Sequence, residues 1–261
     1  MVSKTYRWTS SVFTWLIYAF LYLPIIILIV YSFNKSKLNA VWTGFTFDWY
    51  GKLLHNSAVM EATRNSLLIA VVSTVVSTIV GTLAAVGMHK YNFKLKNVLS
   101  GLLYIPIVIP EIVMGIALLA FFAQLHISLG LLTLIIAHIT FSIPFVVVVV
   151  RSRLEGFDKS LEEAAMDLGA NGWQTFVRIT LPIIMPGVVA GFLLAFTLSL
   201  DDVIISFFTA GPGSTTLPLK VFSMVKFGVS PEINALSTIM LLITLTLVIF
   251  AERIGQKKGD L

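Results

Sequence analysis

Three acidic residues stand inside long apolar runs of the sequence: Glu111 in YIPIVIPEIVMGIALL, and Asp201 with Asp202 in TLSLDDVIISFF. A carboxylate at the centre of a lipid bilayer costs about 2.5–3.5 kcal/mol on insertion scales, so such residues usually face a bundle interior or a water-filled path. Clustered acids attract cations and repel anions. The three acids therefore indicate a path for a cation, unless they pair with basic residues of another subunit or are protonated.

Two kinds of residue near these acids bear on the same chemistry. His138, in IIAHITFSIPF, either relays protons or satisfies hydrogen bonds within the helix bundle. Pro106 and Pro110 are expected to kink the helix that carries Glu111 and to free carbonyl oxygens, which are further ligands for a cation. The sequence offers no metal-binding cluster and no nucleophile–base set, so neither a metal centre nor a catalytic site is predicted.

The composition is that of a membrane protein. Of 261 residues, 57% are apolar and 12% are charged, whereas a soluble domain carries about 25% charged residues. The net charge of +5 resides in short connectors and tails and not on one face, which argues against a nucleic-acid partner. The absence of cysteine excludes a disulfide framework and a thiolate metal site.

Six apolar runs are long enough to cross the hydrocarbon layer, which takes about 20 residues. The first run follows Lys4 and Arg7, but it is too long for a signal peptide and no cleavage site follows it, so we interpret it as a retained span. The prediction is an all-α integral membrane protein with one transmembrane domain, residues 1–261. The predicted spans are about 11–31, 66–88, 98–121, 129–150, 187–208 and 235–252.

The basic residues predict the orientation, because cytoplasmic connectors carry an excess of Lys and Arg. Twelve of them fall on the side of both termini and six on the other side, so both termini are predicted to be cytoplasmic. Glu111 and Asp201 then lie at nearly equal distances along outward-running spans, about 20 Å from the inner boundary at 1.5 Å per residue. The cytoplasmic set is Lys4, Arg7, Lys90, Lys94, Lys96, Arg151, Arg153, Lys159, Arg178, Arg253, Lys257 and Lys258; the outer set is Lys35, Lys37, Lys52, Arg64, Lys220 and Lys226.

The cytoplasmic loop 151–182 contains an amphipathic pattern from Leu154 to Leu168 that predicts a helix. Gly169 is placed to end that helix in the left-handed conformation, and a second helical turn is predicted around Trp173. The helix either lies in the lipid headgroup layer or docks into a groove on a partner protein. Its apolar positions are Leu154, Phe157, Leu161, Ala164, Ala165 and Leu168; its polar positions are Asp158, Lys159, Glu162, Glu163 and Asp167.

The outer segment after the fifth span is too long for a simple turn. The glycines and proline at 211–213 are predicted to end the span. LPLKVFSMVKFGV then predicts a short helix before Ser230 and Pro231. This helix forms a lid over the path, a docking surface, or a resting interfacial helix.

The cytoplasmic loop resembles the EAA motif of ABC-importer permeases, with every signature position filled at the family spacing. The resemblance implies a coupling helix that inserts into a cleft on a cytoplasmic ATPase. The chain has no G-x-x-x-x-G-K-[ST] phosphate loop, so it is expected not to be an enzyme and to hold no cofactor. ATP and Mg would be bound by a separate ATPase. The residues implied in coupling are Glu163, Ala164, Ala165, Leu168, Gly169, Leu181 and Pro182.

The rest of the chain resembles permease subunits of spermidine/putrescine ABC importers, in stretches such as AHITFSIPFVVVVVRSRL and LAFTLSLDDVIISFF. The resemblance implies the type I permease fold, the bacterial inner membrane and alternating access. It implies as partners a second permease (PotB type), two ATPases (PotA type) and an external binding protein (PotD type). Better-known relatives have Asp where this chain has Glu111, which leaves the preference between spermidine and putrescine open.

Three other functions remain as alternatives. The nearest is an ABC permease for another small cationic or zwitterionic solute, such as thiamine or an aminophosphonate. A secondary transporter would often show inverted repeats with broken helices, and no convincing repeat occurs here. A membrane enzyme would need a catalytic set that the sequence lacks.

Overall fold

A computed structural model describes residues 4–36, 41–226 and 230–256 of the chain. Lys37, Lys257 and Lys258, which contributed to the predicted orientation, lie outside these ranges, as do residues 227–229 of the predicted outer helix. All regular secondary structure among the described residues is helical, which confirms the all-α class. An isolated β-bridge joins Asn34 and Phe45, and no strand occurs within the described ranges. The helices are α1 (Lys4–Tyr31), α2 (Asp48–His55), α3 (Ser57–Lys90), α4 (Lys96–Val108), α5 (Glu111–Gln124), α6 (Leu131–Leu154), α7 (Ser160–Asp167), α8 (Gly172–Thr175), α9 (Leu181–Asp201), α10 (Ile204–Thr209), α11 (Leu217–Lys226) and α12 (Pro231–Gln256).

Four stretches of helix within the described residues are long and apolar enough to cross a membrane. They are Trp8–Tyr31, Ser57–Lys90, Leu131–Leu154 and Gly172–Asp201. The pair α4 and α5 adds a fifth if both count as one span, and the apolar part of α12, Pro231–Thr246, is shorter. These helices support four or five of the six predicted spans, while the six-span count and the orientation stay predictions.

The third predicted span, 98–121, is not one kinked helix but two helices bent by 111°. Ile109 is extended, with ψ of 135°, between the end of α4 and Pro110. A proline ring disfavours the helical conformation of the residue before it, which explains why the helix stops here. Glu111 therefore lies not within a helix but at the first position of α5.

The fifth predicted span, 187–208, differs from the structure at both ends. Its helix, α9, starts at Leu181 and continues from α8 through a π-helical turn at Phe176–Thr180. It ends at Asp201, because Asp202 is extended with ψ of 128°. The side chain of Asp202 instead caps the following short helix, α10, and such capping competes with continuation of the preceding helix. The predicted break at 211–213 follows the end of α10.

The chain forms two compact units, one of residues 1–60 and 221–247 and the other of residues 61–220 and 248–261. Within the first unit, α2 is tied to the segment after α1. Trp49 is buried and its indole Nε1 donates to the carbonyl of Asn34 at 2.8 Å, while the hydroxyls of Tyr50 and Ser32 lie 2.7 Å apart. The described part of α1 exposes large apolar side chains along its length, as expected of a helix that contacts lipid or another subunit.

The second unit is built around α6. A Cβ atom added to Gly81 of α3 would lie 2.8 Å from Val146 of α6, and one added to Gly191 of α9 would lie 3.3 Å from the same residue. The two glycines thus allow α3 and α9 to approach α6 closely. Ala85, Val150, Ile184 and Ala195 belong to the apolar core that the three helices share.

We expect Gly211→Ala to destabilise this unit, because a Cβ atom there would collide with the carbonyl oxygen of Leu129. Backbone atoms cannot rotate away as a side chain does, so the loop after α10 would have to move. Overpacking of this kind costs about 1–3 kcal/mol, measurable as a lower midpoint of thermal unfolding in detergent. Gly101→Ala is the matched control, because its Cβ would meet nothing within 4 Å; equal midpoints for both variants would contradict the close approach.

Candidate functional site

The two helix breaks lie in one packed region of the second unit. An apolar cluster joins α5, α6, α9 and α10 through Met114, Phe141, Leu198 and Ile205. At Gly115 of α5, a Cβ atom would come within 2.6 Å of the ring of Phe208 in α10. The ring can pack here because residue 115 has no side chain. The first turns of α5 are thereby packed against α10, and each of these two helices follows a break.

Asp202 is buried, and both of its carboxylate oxygens have partners within the protein. One carboxylate oxygen accepts from the backbone N–H of Ile205 at 3.1 Å, and the other accepts from that of Ser206 at 2.7 Å. The second oxygen also lies 3.5 Å from Nε2 of His138. Asp202 therefore satisfies the first free N–H groups of α10, the usual task of an aspartate at a helix N-terminus.

His138 connects Asp202 to a chain of buried hydroxyl groups. Its Nδ1 lies 2.7 Å from Oγ of Ser199, and its Nε2 lies 3.2 Å from Oγ of Ser206. Ser199 in turn is 3.1 Å from Oγ of Ser73 on α3. Both ring nitrogens have protein partners, as the hydrogen-bonding interpretation of His138 expects. The network fixes α3, α6, α9 and α10 to one another at the level of the second break.

Asp201 and Glu111 have different surroundings from Asp202, because both are exposed on the surface of this chain. Asp201 is the last residue of α9, and Glu111 is the first residue of α5. The charges of Asp201 and Asp202 both act on Glu111. The structure thus brings the three predicted acids together, although the helix positions from which their depth was estimated have changed. Among the described residues, no three His, Cys, Asp or Glu side chains are placed to hold a metal ion.

The loop between α6 and α9 contains the predicted helix in a shorter form. Residues Leu154 and Phe157 do not belong to it, because α6 runs to Leu154 and a turn intervenes before α7 begins at Ser160. Asp158 causes the restart: its carboxylate accepts from the backbone N–H of Ser160 at 2.9 Å, and this bond lowers the pKa of Asp158. The prediction of one helix from Leu154 to Leu168 is therefore wrong, and Leu168 caps the C-terminus of α7.

Gly169 ends α7 as predicted, in the left-handed region with φ of +90°. The N–H of Gly169 bonds the carbonyl of Met166 at 2.9 Å, and the N–H of Ala170 bonds that of Ala165 at 3.0 Å. This pair of bonds is the Schellman motif, which favours glycine because other residues are strained there. The following turn is also confirmed, since Asn171 and Gln174 cap α8 reciprocally at 2.9 Å each.

The outward side of this loop is apolar. Leu168 is 90% exposed and Trp173 is 69% exposed, and Leu161 and Met166 are exposed as well. Glu163 and Ala164 are exposed on α7, and Ala165 is half-buried. Leu181 and Pro182 begin α9, where Leu181 packs against the apolar core. We refer to Leu161, Glu163, Met166, Leu168 and Trp173 as the exposed loop surface.

Glu162 is a functional candidate that the sequence pattern missed, because the pattern placed it among the polar, solvent-facing positions. It is buried, with one carboxylate oxygen 2.8 Å from Nζ of Lys90 and the other accepting from the hydroxyl of Thr180. Burial acts to raise the pKa of Glu162, but the bonds from Lys90 and Thr180 and the charge of Lys90 outweigh burial and hold the pKa below its usual range. No spacing in the sequence connects these three residues.

Apolar helices that break at buried or clustered acids, together with an apolar surface on a short loop helix, are features expected of a subunit of a membrane transport system. The fold has counterparts among solved structures. It matches a chain of a bacterial ABC transporter that imports the acidic polysaccharide alginate, with a TM-score of 0.74 and 18% identity over 98% of each chain. At this identity the likeness concerns the fold alone.

Residues 77–256 match the family described as binding-protein-dependent transport system inner membrane component, and the chain belongs to this family. It is therefore a multi-pass inner-membrane transport subunit and not the enzyme of its system. The chain is 50% identical to the spermidine/putrescine transport system permease protein PotC of Escherichia coli strain K12, over 93% of this chain and 92% of that one. It is 47% identical to the putrescine transport system permease protein PotI of the same strain, over 86% and 82%.

Proposed function

We propose that this chain is the permease subunit of an ABC importer that carries the polyamines spermidine and putrescine across the cytoplasmic membrane. The observation that carries the proposal is the helix break at Asp202, which leaves Asp201 exposed at the end of α9, where its charge acts on the exposed Glu111. Polyamines carry two or three positive charges near neutral pH, and neighbouring acids offset such charges during passage. The identity to polyamine permeases supports the same substrate class.

The three acids take different roles in this proposal. Asp201 and Glu111 face the substrate, whereas Asp202 holds the break open by capping α10 and contacting His138. Substrate must leave as readily as it enters, so the site binds weakly. Two exposed acids on separate helices fit that need, because their spacing changes when the helices move.

The transport system further contains a second permease of the PotB type, two ATPases of the PotA type that bind ATP and Mg, and an external binding protein of the PotD type. The exposed loop surface supports docking on an ATPase over a resting place in the headgroup layer, since Glu163 stands among its apolar side chains. Closure of the ATPase pair on ATP pulls on α7. Six transmembrane helices with both termini in the cytoplasm then alternate between outward and inward openings.

A permease for thiamine or an aminophosphonate is the second candidate. Helices α5, α9 and α10, which surround the acids, contain no Lys or Arg. An anionic group would need basic or hydrogen-bonding partners there. The helices around the acids therefore favour a cationic substrate over one that carries an anionic group.

The substrate is tested by ATP hydrolysis of the whole complex in lipid nanodiscs, with the binding protein present. Spermidine, putrescine, thiamine and 2-aminoethylphosphonate are compared at equal concentration. We expect stimulation by one or both polyamines and none by the other two solutes. Stimulation by thiamine or the phosphonate alone would replace the polyamine assignment, while no response to any solute would remove it.

A further inference from the structure

The buried carboxylate of Glu162 joins three elements, although its neighbours Leu161 and Glu163 on the loop helix are exposed. It belongs to α7, its partner Lys90 is the last residue of α3, and its partner Thr180 ends the π-helical turn that leads into α9. Both oxygens of Glu162 are in use, at 2.8 Å from Lys90 Nζ and in the hydrogen bond from Thr180. We refer to these three residues as the clasp.

The clasp is a stronger contact than a surface ion pair. Glu162 is 9% exposed and both of its carboxylate oxygens have protein partners, while the side chain of Lys90 remains one-third exposed. If the carboxylate separated from its partners, it would remain buried as an uncompensated charge, which is unfavourable. We therefore expect the three groups to move together. The neighbouring turn, Glu155 to Lys159, is by contrast exposed at most of its positions.

The position of α7 makes this contact mechanically important. The helix has only eight residues and presents the exposed loop surface outward. A force applied to that surface reaches the rest of the unit through the contacts that α7 makes with it, and the clasp is among them. One of these leads through Thr180 directly into α9, whose far end carries Asp201.

We propose that the clasp transmits the movement of α7 to α3 and α9, so that Glu162 is a positioning residue for coupling and not a contact to the ATPase. This inference rests on the proposed function. It assigns a role to the residue next to Glu163 of the loop motif, which is buried where Glu163 is exposed. Coupling of this kind is an energy shared between contacting groups, which a double-mutant cycle measures.

The first test measures polyamine uptake and ATP hydrolysis together in proteoliposomes that contain the whole complex. Glu162→Gln and Lys90→Met should each lower the uptake per ATP hydrolysed by about tenfold, a usual size for coupling between sites. The double variant should be no worse than either single variant, and the exchange Lys90→Glu with Glu162→Lys should recover part of the ratio. Glu155→Gln, an exposed acid of the same loop, is the matched control and should keep the wild-type ratio.

The second test does not need a substrate. The sequence contains no cysteine, so Lys94→Cys and Asp167→Cys give one spin label after α3 and one on α7. In the otherwise unchanged complex, the distance between the labels should stay constant when ATP binds, because the clasp moves α3 with α7. With Glu162→Gln added, ATP should change the distance.

The two tests separate the clasp from the proposed function. Additive losses in the double variant, an unchanged uptake ratio in the single variants, or the same ATP response of the label distance with and without Glu162 would each overturn the clasp. Loss of the ATPase from the purified Glu162→Gln complex would also overturn it, because Glu162 would then act in docking. Absence of polyamine uptake in the wild type would overturn the proposed function, and the label distances would still test the clasp.

Discussion

Replacing Asp202 with Ala should lower the free energy of unfolding by about 3 kcal/mol, because a cap and a buried pair are lost together. The N–H groups of Ile205 and Ser206 would lose their acceptor in a buried place, and His138 would lose the carboxylate at 3.5 Å. Asp202→Asn keeps one acceptor oxygen and should cost less than Asp202→Ala. The measurement is the midpoint of thermal unfolding of the purified complex in detergent.

Asp201→Asn is the control for this prediction, since it changes the same residue type one position away. Asp201 is exposed, and exposed substitutions usually stay within about 0.5 kcal/mol of the wild type. The account requires the two neighbours to differ: stability should depend on Asp202 and transport on Asp201. Equal loss of stability in Asp201→Asn and Asp202→Asn would show that the second carboxylate has no special structural task.

Replacing Leu168 with Glu should largely prevent the ATPase from binding. The leucine is 90% exposed beside the C-terminus of α7 and has no role in the core of this chain. A central apolar contact of an interface contributes about 2 kcal/mol or more, which corresponds to about a 30-fold weaker complex. The amount of ATPase that co-purifies with the permease measures the effect.

Leu95→Glu provides the matched control, because Leu95 is 66% exposed in the connector between α3 and α4. Both variants add the same charge to an exposed leucine, and only one lies on the exposed loop surface. Wild-type amounts of ATPase with Leu168→Glu would place the ATPase contact elsewhere. Equal losses in both variants would indicate a general effect of added charge.

The sequence predicted those structural elements that depend only on residues close together in the chain. Apolar length predicted the long helices, and Gly169 predicted the end of α7 because the left-handed cap depends on the residue itself. Pro110 predicted a kink, but the size of the bend, 111°, depends on how α5 packs against α10. Of the motif residues, Glu163, Ala164 and Leu168 are exposed on the loop, and their part in coupling stays a prediction.

Features that depend on partners distant in the sequence could not be predicted. Asp202 could have continued α9, and its capping of α10 is stabilised by contact with His138 from α6. Glu162 fitted the polar face of a helix, and only the fold brings Lys90 and Thr180 to it. In both cases the partners that decide the role of the acidic residue lie elsewhere in the chain.

The central claim is that the carboxylate of Asp201 offsets the charge of a polyamine during passage. The most direct measurement is ATP hydrolysis by the complex in nanodiscs with polyamine-loaded binding protein, compared between wild type and Asp201→Asn. We expect the stimulation by polyamine to fall about tenfold in the variant, which corresponds to the loss of an interaction of about 1.4 kcal/mol. Basal hydrolysis and the amount of ATPase in the complex should be unchanged. Full polyamine stimulation in Asp201→Asn would contradict the claim and leave Asp201 without a part in the substrate path.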